Sequence, residues 1–296
     1  MAWLAVILVL LSAAVHASWN LLAHSQQVNG TLFFRLHLFT GLFGILPVLI
    51  AEWKGIPFSV TIWKLLVLSG LFQAIYFLGL TGGYRNGNFS VVYPVARSLP
   101  IVILAIFDVI RGNTLSVLGW FGIFMVITGC ILAPLESFRK ITLSTYWNRV
   151  SIWVLMIIFG VTGYSVTDKI AAESLPQSAE TAARYGIWEA IFTIPFLYFV
   201  FRLTDEPILI YKKSKLADWK WVTIFSILIF CSYWLMLWAY QISPYVSYVA
   251  GLRQFSIVIG VVLAVLFFRE PAPILRISAA VIITIGVICI SQASVS

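Results

Sequence analysis

VIGVVLAVLFF at 258–268 and ISAAVIITIGVICI at 277–290 are continuous apolar runs without a charged residue, and their continuity decides the fold. A barrel strand in a membrane reads as about ten residues alternating apolar and polar. A helix rises about 1.5 Å per residue, so a hydrocarbon core of about 30 Å takes about 20 predominantly apolar residues. Outward from these two runs, similar stretches recur along the chain, separated by turn-forming or charged breaks. The expected spans are 3–23, 30–51, 62–82, 90–109, 117–134, 152–170, 182–203, 220–240, 246–267 and 273–292. The chain therefore reads as an all-α membrane protein of about ten transmembrane helices. Its 61% hydrophobic and 10% charged residues, with a mean hydropathy of +0.99, leave too little polar surface for a water-soluble domain.

A long break at 136–151 separates a first five-helix unit, 1–135, from a second, 152–296. The units look alike toward their ends. Tyr84–Pro100 lies over Tyr240–Ser256 without a gap, pairing Tyr84 with Tyr240 and Arg97 with Arg253. One inserted residue later Gly129 falls on Gly286, and Pro47 and Pro195 occupy equivalent second helices. Five crossings is an odd number, so a duplicated unit enters the membrane from the opposite face. The expected architecture is two inverted five-helix repeats, with a substrate site near the midplane between them.

HASWN at His16–Asn20, YPVARSLP at Tyr93–Pro100, and FFREP at Phe267–Pro271 leading into AVIITIGV at Ala280–Val287 carry a resemblance. On these residues the chain resembles the EamA family of the drug/metabolite transporter superfamily, over essentially its whole length. The resemblance implies a ten-helix carrier, many family members being exporters of amino acids, metabolites or drugs. One departure stands out: Glu270 in the second repeat falls on or near Asn113 in the first, where the family often has Glu.

An ionisable side chain near the bilayer centre costs at least a few kcal/mol, so each should face a partner or an aqueous cavity. Arg97 and Arg253 each lie seven residues into their spans. With the repeats inverted, helix rise puts them about 10 Å apart along the membrane normal. Two guanidinium forks there suit a carboxylate, phosphate or sulfonate. The alternative is a pair of structural arginines satisfied by helix-end carbonyls or by an internal acid such as Glu189. Tyr93 and Gln254, neighbours of the two arginines in sequence, join the candidate set. Pro94 and Pro100 flank Arg97 and predict a kinked fourth helix.

His16, Trp19 and Asn20 share one face of the first span, where His16 is a candidate proton-coupling group. Tyr185 and Glu189 share a face of the seventh, with Trp188 beside them. Glu189 is the best candidate for a proton- or cation-binding carboxylate, its alternative being a fixed ion pair with Arg184 or Arg253. Asp168 and Lys169 end the sixth span and are expected to snorkel to the interface, and Arg35 and His37 draw the same reading. In the eighth span Tyr233, Trp234 and Trp238 recur at helical spacing as candidate pocket walls, although among so many aromatics chance placement is the favoured explanation.

Other classes find little support. HExxH, GxSxG and P-loop motifs are absent, and Cys130, Cys231 and Cys289 lie singly in apolar runs, so neither an enzyme nor a metal or cofactor site is expected. Nothing repeats like a channel filter. The 19 basic residues against 11 acidic ones reflect topology rather than nucleic-acid binding, the one cluster being Lys212, Lys213, Lys215 and Lys220 in a loop. Eleven basic residues in loops after odd-numbered spans, against four after even ones, place the odd loops in the cytoplasm and both termini outside. The family resemblance implies cytoplasmic termini instead. Ser12–Ala17 imitates a signal-peptidase site but lacks a basic segment before it, so the first span is expected to be retained. The function expected is secondary transport, as exporter or exchanger, of a small anionic or zwitterionic metabolite such as an amino acid or a phosphorylated or carboxylated compound. A proton-coupled exporter of cationic drugs or amines is the alternative. The expected partners are the lipid bilayer, the small-molecule substrate and protons as coupling ion, in a bacterial inner membrane.

Overall fold

A computed structural model describes residues 3–24, 30–85, 89–133, 151–204, 216–268 and 274–293, with side chains excepted at 21–24, 84–85, 89–95, 216–218 and 264–268. The segment 136–150, three lysines of the basic cluster (Lys212, Lys213 and Lys215), Glu270 and the Tyr93 side chain lie outside what is described. The described residues form helices and no strand. In chain order these are α1 (Trp3–His24), α2 (Gly30–Lys54), α3 (Val60–Arg85), α4 (Phe89–Ile110), α5 (Val117–Leu132), α6 (Ser151–Glu173), α7 (Ala179–Leu203), α8 (Leu216–Ile242), α9 (Val246–Arg253), α10 (Phe255–Phe268) and α11 (Ile274–Ala293). Among the described residues, eight stretches are long and apolar enough to cross a membrane, one of them running through α9 into α10.

Burial explains why an apolar chain still has an inside. In α2, Phe33, Phe34, Leu36, His37, Gly41, Gly44 and Val48 are buried, while Leu42, Phe43, Leu46 and Leu49 on the other side are exposed. A face so apolar and so exposed belongs against lipid, whose tails give helices no hydrophobic reason to associate. Close packing takes over that role. Gly122 of α5 and Gly286 of α11 sit so near one another that a Cβ on either would come within 2.8 Å of the other's carbonyl oxygen. In the same way α3 packs against α6, where a Cβ on Gly160 would meet the Tyr76 backbone at 2.7 Å.

The break in the helices is not where the prolines stand. α4 runs unbroken through Pro94 and Pro100, whereas the ninth span, free of proline, is interrupted at Gln254. The Gln254 N–H bonds to the Gly251 and Leu252 carbonyls, and its side-chain Nε2 donates to the Ala250 carbonyl at 3.2 Å, replacing the backbone bond the tightened turn loses. The side chain thus satisfies the carbonyl that the interruption strands.

Candidate functional site

Two adjoining cavities, with about 790 and 740 Å³ of empty space, share His16, Trp19, Tyr76, Tyr164 and Arg253 as walls. The first adds Asn20, Arg97, Ser165, Tyr240 and Gln254 and, among the described residues, has no acidic residue in its wall; the second adds His37, Gln73, Tyr233 and Glu189. The helices that supply these groups come from both units of the sequence.

In the first cavity, donors converge. Arg97 Nη1 donates to Gln254 Oε1 at 3.2 Å and to Ser256 Oγ at 3.3 Å, and its Nη2 lies 3.3 Å from His16 Nε2. Arg253 Nη2 lies 3.2 Å from His16 Nδ1, which also receives Trp19 Nε1–H at 3.1 Å. Asn20 Nδ2 donates to the His16 carbonyl at 2.7 Å, fixing the helix turn that carries the imidazole. The buried Arg253 Nε has no hydrogen-bond partner among the described residues, and the hydroxyl of the fully buried Tyr240 lies beside Ser165. The arginine pair expected from the sequence thus does converge, with His16 between its members.

In the second cavity Glu189 Oε1 accepts from Ser69 Oγ at 2.6 Å and Gln73 Nε2 at 2.8 Å. Asp168 lies within hydrogen-bonding reach of Glu189 and accepts from the Tyr185 hydroxyl at 2.9 Å and from the Tyr233 hydroxyl. Tyr233 also presents its ring to Arg253 at 6.0 Å, connecting the acidic pair to the basic cavity. The fixed ion pair considered for Glu189 is not formed with either arginine. Arg184 instead forks onto Glu52, Nε to Oε1 at 2.7 Å and Nη2 to Oε2 at 3.1 Å, lies 3.8 Å over the Phe58 ring, and shares Glu52 with Trp188 Nε1.

Several expectations change. Asp168 and Lys169 do not snorkel: α6 continues to Glu173, past the expected end at 170, and both side chains are buried. Arg35 and His37 are buried as well, and His37 lines the second cavity. Trp234 and Trp238 stack on each other at 6.3 Å, with Trp234 Nε1 donating to the Ala179 carbonyl, and line neither cavity; only Tyr233 of that aromatic run does. Tyr185 lines neither cavity and joins the acidic pair through its bond to Asp168.

Sequence reading missed the junction between α8 and α9. Asp108, buried on α4, accepts from the Val246 N–H at 3.2 Å, the Ser247 N–H at 2.9 Å and the Ser247 hydroxyl at 2.5 Å, placing a carboxylate at the N-terminus of α9. Lys169 Nζ donates to the Tyr240 carbonyl at 3.0 Å and to that of Ser243 at the end of α8, and pairs with Glu173 at 3.1 Å, which Arg111 also holds at 2.7 Å. Anion at a helix start and cation at a helix end complement both helix dipoles. The isolated polar positions Ser69 and Gln73, one turn apart on α3, carried a signal that could have been read; Asp108 near the end of its span did not.

The class defined by this arrangement is a multi-pass helical membrane protein with arginine, histidine and carboxylate side chains lining cavities between its helices. Residues 148–292 match the EamA-like transporter family, which lies within the drug/metabolite transporter superfamily. A solved structure described as "Crystal structure of protein" is similar in fold, with a TM-score of 0.69 and 15% sequence identity over 98% of this chain and 96% of that one. No curated protein sequence matches the chain.

Proposed function

We propose that this protein is a secondary transporter of a small anionic or zwitterionic metabolite, working by alternating access around the two adjoining cavities. The observation that carries the reading is the convergence of Arg97 and Arg253 on a cavity wall that holds no acidic residue among the described ones. Buried guanidiniums are retained where they pair with an anion, and their forks match carboxylate and phosphate oxygens. For a zwitterion, Glu189 across Tyr233 provides the complementary charge. The match of residues 148–292 to a transporter family supports moving a substrate rather than converting it. We place it in a bacterial inner membrane.

The packing supports two inverted five-helix repeats, 1–135 and 152–296, joined by 136–151. The correspondence that lays Gly129 on Gly286 also lays Gly122 on Ala279 and Val126 on Ile283. Gly122 touches Gly286, and its image, Ala279 against Gly129, is also a close contact; Gly286 against Val126 has its image in Gly129 against Ile283. Contacts that map onto one another under the repeat are what a pseudo-two-fold axis between α5 and α11 produces. Alternating access then swings the repeats about a central site.

The second reading, proton-coupled export of cationic amines, is favoured by one observation: the buried Asp168 and Glu189 have no arginine or lysine ion pair among the described residues. A thermal-shift screen of the purified protein against anionic, zwitterionic and cationic metabolites separates the two, because a ligand stabilises the state it binds by mass action. Carboxylates, phosphorylated compounds or amino acids are expected to raise the melting temperature, and saturable counterflow of the same compounds in liposomes is expected to follow. Stabilisation by cationic amines alone contradicts the anion reading.

A further inference from the structure

Three donors face the ring of His16: Trp19 Nε1–H and Arg253 Nη2 at Nδ1, and Arg97 Nη2 at Nε2. Neutral imidazole has one nitrogen that accepts and one that donates, and guanidinium and indole never accept. If Nε2 accepted from Arg97, the Nδ1–H would oppose two donors. If Nδ1 accepts, only the Nε2–H opposes one. The second tautomer is therefore the one this packing selects, and it leaves an N–H and a guanidinium pointing at a common place on the cavity wall.

We propose that His16 is a ligand-binding donor, its Nε2–H and Arg97 Nη2 sharing one oxygen of an oxyanion, with Trp19 and Arg253 fixing the tautomer from the other side. The proposal rests on the anion reading of the cavity and deepens it. An oxygen held between the two groups accepts from both and removes the donor–donor contact. Charge-assisted bonds of this kind are about twice as strong as neutral ones. A further buried donor on the same cavity wall, Arg253 Nε–H, has no partner among the described residues, and the Tyr240 hydroxyl stands beside Ser165 on that wall. A set of donors this large fits a group with several acceptor lone pairs and no hydrogens of its own, a carboxylate, phosphate or sulfonate. It makes His16 more than scaffold: the ring discriminates for an acceptor, since a ligand amide or ammonium at this place would add another donor.

The tautomer is testable without any ligand. The chain has three histidines, so ¹⁵N-histidine spectra of the full-length protein in detergent or lipid are assignable with His24→Gln and His37→Gln. His16 is expected to show a protonated Nε2 and a bare Nδ1 at neutral pH; a protonated Nδ1 in the free protein overturns the proposal. Binding then uses inorganic phosphate and malonate as probes on His16→Gln, whose amide nitrogen stands where Nε2 stood, and His16→Asn, which reaches only the Nδ1 position. His16→Gln is expected to stay within about threefold of the wild type and His16→Asn to lose about tenfold or more, the cost of a bond to a charged group. Equal affinity in Asn and wild type overturns the proposal. Arg97→Gln in the same series separates it from its foundation: if Arg97→Gln loses binding while His16→Asn does not, the anion site stands and the role of His16 falls. If Arg97→Gln binds both probes like the wild type, both fall.

Discussion

The α8–α9 junction and the central cavity bury charge in opposite ways. At the junction each ion meets groups of opposite polarity: Asp108 meets the N–H groups opening α9, and Lys169 meets the carbonyls closing α8 and the Glu173 carboxylate. In the cavity, Arg97, Arg253 and Trp19 all present donors to one imidazole. Satisfied charge holds a fold together, whereas surplus donors in a low-dielectric place raise the free energy of the empty protein until an acceptor arrives. The two regions should therefore respond differently to the loss of a side chain, the junction in stability and the cavity in affinity.

The largest expected effect on stability is at the junction. Asp108→Ala leaves the Val246 and Ser247 N–H groups without their acceptor, and Lys169→Met strands the Tyr240 and Ser243 carbonyls. Each is expected to lower unfolding free energy by about 2–4 kcal/mol, seen as a fall in melting temperature. A fall no larger than that of a surface substitution would erase the contrast. Next comes the acidic pair. Glu189→Gln keeps an oxygen for Ser69 and Gln73 and should change stability by less than about 1 kcal/mol. If the pair carries the coupling proton, this variant loses uptake driven by a pH gradient in liposomes and keeps exchange at equal pH; unaltered gradient-driven uptake removes proton coupling from Glu189. The smallest effect belongs to Trp234→Phe and Trp238→Phe. These side chains stack outside both cavities, so substrate affinity should stay within about twofold, and a larger loss would mean the site extends to them.

What the sequence could and could not tell follows from the range of each interaction. Helix positions were legible because the requirement for about 20 apolar residues acts locally. The arginines stood out because charge in an apolar run is costly wherever it lies. Partners were not legible: Asp108 meets Ser247 139 positions away, and Glu189 meets Ser69 across 120. The end of α6 was placed too early because Asp168 and Lys169 look like a polar boundary, and Tyr233, Tyr185 and the α8 carbonyls, brought from elsewhere, together with Glu173 make burying them tolerable. The interruption of the ninth span was not legible, since that span carries no proline and a glutamine able to bond its own turn was enough to interrupt it.

The central claim is that the arginine pair is a site and not scaffold. It is tested most directly by measuring substrate affinity and melting temperature together on Arg97→Lys, Arg97→Gln, Arg253→Lys and Arg253→Gln. Lysine keeps the charge and loses the fork, so affinity should fall about tenfold, and glutamine should cost about tenfold more, with melting temperature nearly unchanged in all four. Glutamine variants that bind the substrate like the wild type, or that melt far below it, would show instead that the pair serves the fold.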